Sequence, residues 1–259
     1  MFNIPNLFTA FNMLSGCAAI ILTFAGRIDL APFAIFAGAF FDFLDGFLAR
    51  KLKVSGEMGK QLDSLADMVT FGVAPGLIML VMLIQVNIHF SSGRPIEAWL
   101  NSLLNMEWKA FFPLIALLIP FFSIFRLAKF NLDTRQTESF IGLPTPANTL
   151  FFMSFPLVAV YGSNNSDVMS SINDFMFHPI TMGAFILTMS LLLVSEIPLF
   201  SLKFKTFGIK GNETRYIFLL ISLTFIMIFK VWALALIVFL YLVLSIIENF
   251  VLKTKKDEI

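Results

Sequence analysis

Phe41-Asp42-Phe43-Leu44-Asp45-Gly46-Phe47-Leu48-Ala49-Arg50 closes one apolar stretch, and Gly59-Lys60-Gln61-Leu62-Asp63-Ser64-Leu65-Ala66-Asp67 opens the next. A charged side chain at the centre of a membrane helix costs about 2.5–3.5 kcal/mol on the insertion scale, less near a helix end. Four carboxylates at two adjoining ends therefore need a partner. Their spacing says how they are arranged. Asp42 and Asp45 are three apart, and Asp63 and Asp67 are four apart, so each pair shares one helix face. The same stripe runs Ala34, Gly38, Asp42, Asp45, Ala49 in the first helix and Gly59, Asp63, Asp67, Thr70 in the second. Small residues on such a stripe let neighbouring helices approach closely. A short basic loop joins the two helices into an antiparallel pair, so all four carboxylates are expected to converge.

The rest of the chain explains why these acids matter. It has 259 residues, 58% hydrophobic and only 14% charged, with 33 Phe and 17 acidic residues. Its mean hydropathy is +0.86. Soluble domains carry roughly 25% charged residues. A soluble enzyme, a disordered chain and a disulfide scaffold are excluded. The single Cys17 excludes an intramolecular disulfide and a cysteine-based metal cluster. A net charge of +1 offers no basic surplus for nucleic acid.

Apolar stretches predict eight spans: Leu7–Ala25, Ala31–Arg50, Asp63–Val86, Trp108–Ala128, Thr145–Tyr161, Pro179–Leu199, Arg215–Phe229 and Val231–Val251. Lys230 marks a hairpin turn between the last two. The opening segment lacks a basic n-region and runs into a full-length span, so no cleavable signal peptide is expected. The segments His89–Glu107 and Gly162–His178 read as polar connectors. One set of loops carries Arg50, Lys51, Lys53, Lys60, Arg126, Lys129, Arg135, Lys203, Lys205, Lys210, Arg215, Lys253, Lys255 and Lys256; the other carries only Arg27, Arg94, Lys109 and Lys230. Basic loops stay in the cytoplasm. The expectation is an all-α polytopic helical bundle in the cytoplasmic membrane, with both termini and the aspartates on the cytoplasmic side.

Converging carboxylates repel one another unless cations neutralise them. Ordinary salt bridges to Arg50, Lys51, Lys53 and Lys60 would answer the charge, but not the two acids per face beside small residues. An ion path through a transporter would place acids at mid-depth in several spans, whereas these cluster at one membrane surface. Hard divalent metals prefer carboxylate oxygens, and paired metals are a common device of phosphoryl chemistry. The residues thus point to metal-dependent phosphoryl chemistry at the membrane surface.

The pattern Asp42-x2-Asp45-Gly46-x2-Ala49-Arg50-x8-Gly59-x3-Asp63-x3-Asp67 resembles the CDP-alcohol phosphotransferase family at every defined position. The resemblance implies a six-helix catalytic core, here residues 1–205, followed by a C-terminal transmembrane hairpin and basic tail, residues 206–259. It implies two divalent metals, Mg²⁺ or Mn²⁺, held by Asp42, Asp45, Asp63 and Asp67, with Asp67 as general base. Gly46, Ala49, Arg50 and Gly59 would receive the CDP-lipid, with Thr9 and Asn12 near the nucleotide. A homodimer is also implied. The continuation Met68-Val69-Thr70-Phe71-Gly72-Val73-Ala74-Pro75-Gly76 looks like the family's phosphatidylserine synthase branch, as do Phe125-Arg126-Leu127-Ala128-Lys129-Phe130-Asn131, Phe140 to Ala147, and Ile4 to Asn12. Thr70, Lys129 and Gly76 depart from that branch, which usually has Ser, Arg and Ala there.

That branch moves a phosphatidyl group from CDP-diacylglycerol to L-serine. Glycerol phosphate and inositol phosphate are the alternative acceptors within the family. Arg126, Lys129 and Asn131 lie at the depth of the aspartates and are the candidates for the acceptor's carboxylate or the lipid phosphate, since an Arg–carboxylate contact orients such a substrate. Topology and anionic-lipid contact are the plainer explanation of those bases. Gly142-Leu143-Pro144-Thr145-Pro146 reads as a rigid lead-in to the fifth span. His89 and His178 fall in the external connectors, away from the acids. Glu196 is expected inside the sixth span, paired with Lys203 or Lys205.

Overall fold

A computed structural model describes residues 3–54, 56–87, 95–133, 139–162, 167–200, 208 and 212–249. The protein is an all-α polytopic membrane bundle. Among the described residues, five helical runs are long and apolar enough to cross a bilayer: Ile4–Phe24, Ala31–Lys51, Glu57–Val86, Trp108–Leu132 and Glu213–Ile247. A bent pair, Met169–Met176 with Pro179–Val194, adds a sixth candidate. Thr145–Tyr161 has 17 residues, the short end of what a bilayer needs.

Helices α1 (Ile4–Phe24) and α2 (Ala31–Lys51) pack along each other. Asn3 caps α1, its side-chain oxygen accepting from the Asn6 N–H at 2.9 Å. The third run is not uniform. α3 (Glu57–Asp67) passes into a π-helical segment, Met68–Val73, and then into α4 (Ala74–Asn87). The wider π turn begins directly after Asp67, and such turns recur at functional sites. It is gripped from two sides. Thr70 Oγ1 donates to the Asn12 carbonyl of α1 at 2.8 Å. Thr149 Oγ1 donates to the Phe71 carbonyl at 2.8 Å.

Close approach requires glycine here. A Cβ on Gly16 would lie 2.6 Å from Thr70 Oγ1, and one on Gly38 would lie 2.6 Å from Thr70 Cγ2. Both glycines let α1 and α2 close on the π segment and hold the third run at a fixed height.

The fourth run opens as a 3₁₀ helix over Trp108–Leu117, with Pro113 inside it, and continues as α6 (Leu118–Leu132). α7 (Thr145–Tyr161) is largely enclosed, with eleven residues from Thr145 to Val158 buried, and Pro146 in its first turn as the sequence suggests. α9 (Pro179–Val194) packs against α6. The expected turn at Lys230 is present: α10 (Glu213–Phe229) breaks there at φ +50°, and α11 (Ala233–Ile247) returns along it. The long run Glu213–Ile247 is therefore a hairpin.

Three expectations need correction. The two connectors are not plain loops. They hold α5 (Pro95–Leu104) and α8 (Asp167–Met176). In α5 the apolar Ile96, Trp99, Leu100 and Leu103 recur at helical spacing, and Trp99 is buried with Nε1 donating to the Ala110 carbonyl at 2.8 Å. Polar residues on the opposite face hid that period. The sixth helix stops at Val194 and not at Leu199, because Pro198–Phe200 forms β2, antiparallel to β1 (Ser139–Ile141) with Ile141 opposite Pro198. Glu196 therefore lies beyond the helix. Arg94, Arg135, Lys203, Lys205, Lys210, Lys253, Lys255, Lys256 and His89 fall outside the described residues.

Candidate active site

Asp42 and Asp45 come from the second half of α2, and Asp63 and Asp67 from α3. The structure brings three of the four into one cluster. Carboxylate oxygens of Asp42, Asp63 and Asp67 all lie within 4.8 Å of one another. Asp45 is turned aside: it is 6% exposed, and its Oδ2 accepts from Thr9 Oγ1 at 2.6 Å. Among the described residues no Lys or Arg reaches ion-pair distance of these carboxylates; Lys60, on α3, pairs with Glu57 at 2.8 Å. Salt bridging to the loop thus does not account for the cluster. Asp63 Oδ1 is buried with no hydrogen-bond partner. Three mutually close carboxylates, no described Lys or Arg at ion-pair distance and an orphaned buried oxygen suit a hard divalent cation.

Beside the cluster lies a cavity of about 200 Å³ lined by residues from α1, α2, α3 and the loop between the last two. Thr9, Asp45, Gly46, Ala49, Arg50, Gly59 and Asp63 all face it, with Lys60 at its rim. Five of the six residues expected at the CDP-lipid therefore line one cavity. Added Cβ atoms at Gly46 and Gly59 would meet only Arg50 Nη1 at 3.5 Å and Asn6 Oδ1 at 3.6 Å. The room beside these glycines is thus open to a ligand, unlike the tight contacts of Gly16 and Gly38.

Asn12 is the exception. It is fully buried and donates from Nδ2 to Asp67 Oδ1 at 3.0 Å. Its place is behind the carboxylate and not in the cavity. The sequence offered Asn12 only as one turn on from Thr9, and nothing local shows which of two partners 36 and 55 residues away each would meet.

The acceptor candidates separate. Asn131 Nδ2 donates to Ser64 Oγ at 2.7 Å, next to Asp63, and fixes the end of α6 against α3. Ser123 abuts Gly72 eight residues earlier on α6. The antiparallel register between these contacts sets Arg126 near the depth of Asp67 to Val69. Arg126 is 2% exposed, its Nε donating to the Leu143 carbonyl at 3.1 Å, its guanidinium 5.3 Å from the Phe130 ring centre. Lys129 pairs with Glu196; the expected partners of Glu196, Lys203 and Lys205, lie outside the described residues. Sequence reasoning also missed Asn148. It is fully buried on α7 with neither amide atom hydrogen-bonded, and no local signal marks it.

A helical membrane bundle with clustered aspartates beside a glycine-walled cavity is a class of lipid transferase, and the family comparison agrees. Residues 2–243 match the family model described as CDP-alcohol phosphatidyltransferase, so the chain belongs to that family of metal-dependent phospholipid-synthesis transferases. Among its relatives, a CDP-diacylglycerol–serine O-phosphatidyltransferase of Helicobacter pylori is 29% identical over 253 residues, covering 97% of this chain and 92% of the relative. One of the same name from Bacillus subtilis is 35% identical over 143 residues, 55% of this chain and 69% of the relative. An archaetidylserine synthase of Methanothermobacter thermautotrophicus is 32% identical over 161 residues, 61% of this chain and 59% of the relative.

Proposed function

We propose that the protein transfers the phosphatidyl group of CDP-diacylglycerol to the hydroxyl of L-serine, releasing CMP. The observation that carries this is the Asp42–Asp63–Asp67 cluster opening beside the Gly46–Gly59 cavity. The names of the relatives supply the acceptor. Asp42, Asp63 and Asp67, with Asp45 from the cavity wall, would hold two divalent metals, Mg²⁺ or Mn²⁺, which when bound neutralise charge on the donor's pyrophosphate.

The protein's own groups do the rest. Gly46, Ala49 and Gly59 leave space for the nucleotide. Arg50 meets a phosphate oxygen and stabilises charge developing on CMP. Asp67 takes the hydroxyl proton from the acceptor, within hydrogen-bond reach of the attacking oxygen. That oxygen bonds to the lipid-side phosphorus as the bond to the bridging oxygen breaks. Asn12 orients Asp67 through the 3.0 Å hydrogen bond. Arg126 and Lys129 hold the serine carboxylate, with Asn131 fixing the end of their helix. The gathering of bases around the aspartates supports a cytoplasmic site in an inner membrane. The family resemblance also implies a homodimer, which a molecular-mass measurement in detergent tests.

Purified protein is supplied with CDP-diacylglycerol, Mg²⁺ or Mn²⁺, and one alcohol at a time, following CMP. Release with L-serine alone supports the assignment. Release only with glycerol phosphate or inositol phosphate moves the protein to another branch. An Asp67→Asn variant as active as wild type overturns the base.

A further inference from the structure

The ribbon β2 has two edges, and one pairs with β1. The other edge is met by side chains of the last helix and its end. Tyr241 Oη donates to the Phe200 carbonyl at 2.9 Å. Ser245 Oγ accepts from the Phe200 N–H at 3.4 Å. Asn249 Nδ2 donates to the Pro198 carbonyl at 2.7 Å. Tyr241 is 6% exposed and Ser245 is fully buried. Positions 241, 245 and 249 recur every four residues, so they form one polar stripe along an otherwise apolar spanning helix. Polar groups in such helices are costly and bond across to a neighbour. Anchoring a hydrophobic hairpin in lipid needs no such stripe.

What the stripe holds is the approach to the acceptor side. β2 begins two residues after Glu196, the partner of Lys129. β1 leads into Gly142, whose φ of +80° and N–H bond to Ile197 O at 2.9 Å turn the chain back. A Cβ at Gly142 would come within 2.7 Å of the Leu193 carbonyl oxygen, so the turn is closed tightly. The next residue, Leu143, gives its carbonyl to Arg126 Nε at 3.1 Å.

We propose that Tyr241, Ser245 and Asn249 are positioning residues for the acceptor alcohol: through the β1–β2 ribbon, α11 sets Arg126 and Lys129 where they bind it. This rests on the reading that Arg126 and Lys129 form the acceptor site. It gives the C-terminal hairpin a part in acceptor binding.

The test compares wild type with Tyr241→Phe, Ser245→Ala and the double variant in the full-length protein. Arg126→Lys runs in parallel, and Thr224→Ala on α10 serves as a control. Steady-state KM values for L-serine and for CDP-diacylglycerol are measured, or for whichever alcohol releases CMP from wild type. The double variant raises the acceptor KM about three- to tenfold, the scale of a lost neutral hydrogen bond. The CDP-diacylglycerol KM stays within about twofold, and Ser245→Thr, which keeps the hydroxyl, restores most of the loss. An acceptor KM that moves with Arg126→Lys but not with the double variant overturns the ribbon proposal and leaves the acceptor site standing. If neither variant moves it, the acceptor-site reading falls and takes the proposal with it. A parallel rise in both KM values, together with a drop in thermal stability, makes the stripe structural only and also overturns the proposal.

Discussion

Asn12 holds Asp67: the amide of α1 donates to the last aspartate of α3 at 3.0 Å, from a fully buried position. A neutral donor on one oxygen fixes the carboxylate's rotation and leaves the other oxygen to act. Asn12→Ala removes the donor and opens a small void. The expected result is a kcat lowered about 10- to 100-fold, the range found when groups orienting a ligand or base are removed. The CDP-diacylglycerol KM changes little, because Asn12 does not line the cavity. A rise in that KM with kcat unchanged would return Asn12 to the nucleotide site.

The glycines divide into two kinds that the sequence cannot tell apart. Gly16→Ala and Gly38→Ala force a Cβ to within 2.6 Å of Thr70. Overpacking of that order costs typically about 1–3 kcal/mol, and both variants are expected to lose thermal stability in detergent. Gly46→Ala and Gly59→Ala meet nothing nearer than 3.5 Å. They are expected to melt like wild type yet bind CDP-diacylglycerol more weakly. Equal melting of all four variants would contradict the packing argument.

Removal of metal gives an independent check on the aspartates. With Asp42, Asp63 and Asp67 sharing the nearest-oxygen cluster, each Asp→Asn change is expected to weaken Mn²⁺ binding, read by electron paramagnetic resonance on the purified protein. Each is also expected to lower CMP release at least about 100-fold, as loss of one charge-stabilising group does. Asp45→Asn is expected to weaken metal binding less, because Asp45 is bonded to Thr9 and stands apart from the three. Chelation followed by Mn²⁺ return restores wild type. Wild-type affinity in all three cluster variants would remove the metal site.

The site was largely legible because its chemistry sits in one short stretch. Asp42 to Asp67 span a single hairpin, so helical spacing alone brings the acids together. The glycine and arginine positions follow the same two helices. What could not be read depends on partners far along the chain. Asn12 and Thr9 look equivalent on α1, and only the packing of α2 and α3 sends one to Asp67 and the other to Asp45. The π turn after Asp67 answers contacts from Gly16, Gly38 and Thr149, none of them local. The β1–β2 ribbon joins strands of three residues each, too short for an alternation to register. The spacing of Arg126 and Lys129 says nothing of Glu196, 67 residues further on, which pairs with Lys129.

That pair yields the sharpest prediction on the acceptor. Lys129 and Glu196 are partly exposed, with side-chain accessibilities of 31% and 64%. Exposed pairs contribute about 0–1 kcal/mol, so Glu196→Gln should leave stability nearly unchanged. Its effect on function has a definite sign. Glu196 is a carboxylate already on Lys129, and a serine carboxylate arriving there must compete with it. Removing the charge of Glu196 frees the ammonium, so the serine KM is expected to fall a few-fold, about what one exposed ion pair is worth. Lys129→Gln is expected to raise it by a similar factor. If Glu196→Gln instead raises the serine KM as Lys129→Gln does, Glu196 is positioning Lys129 and not competing for it. If neither variant moves the serine KM, Lys129 does not touch the acceptor.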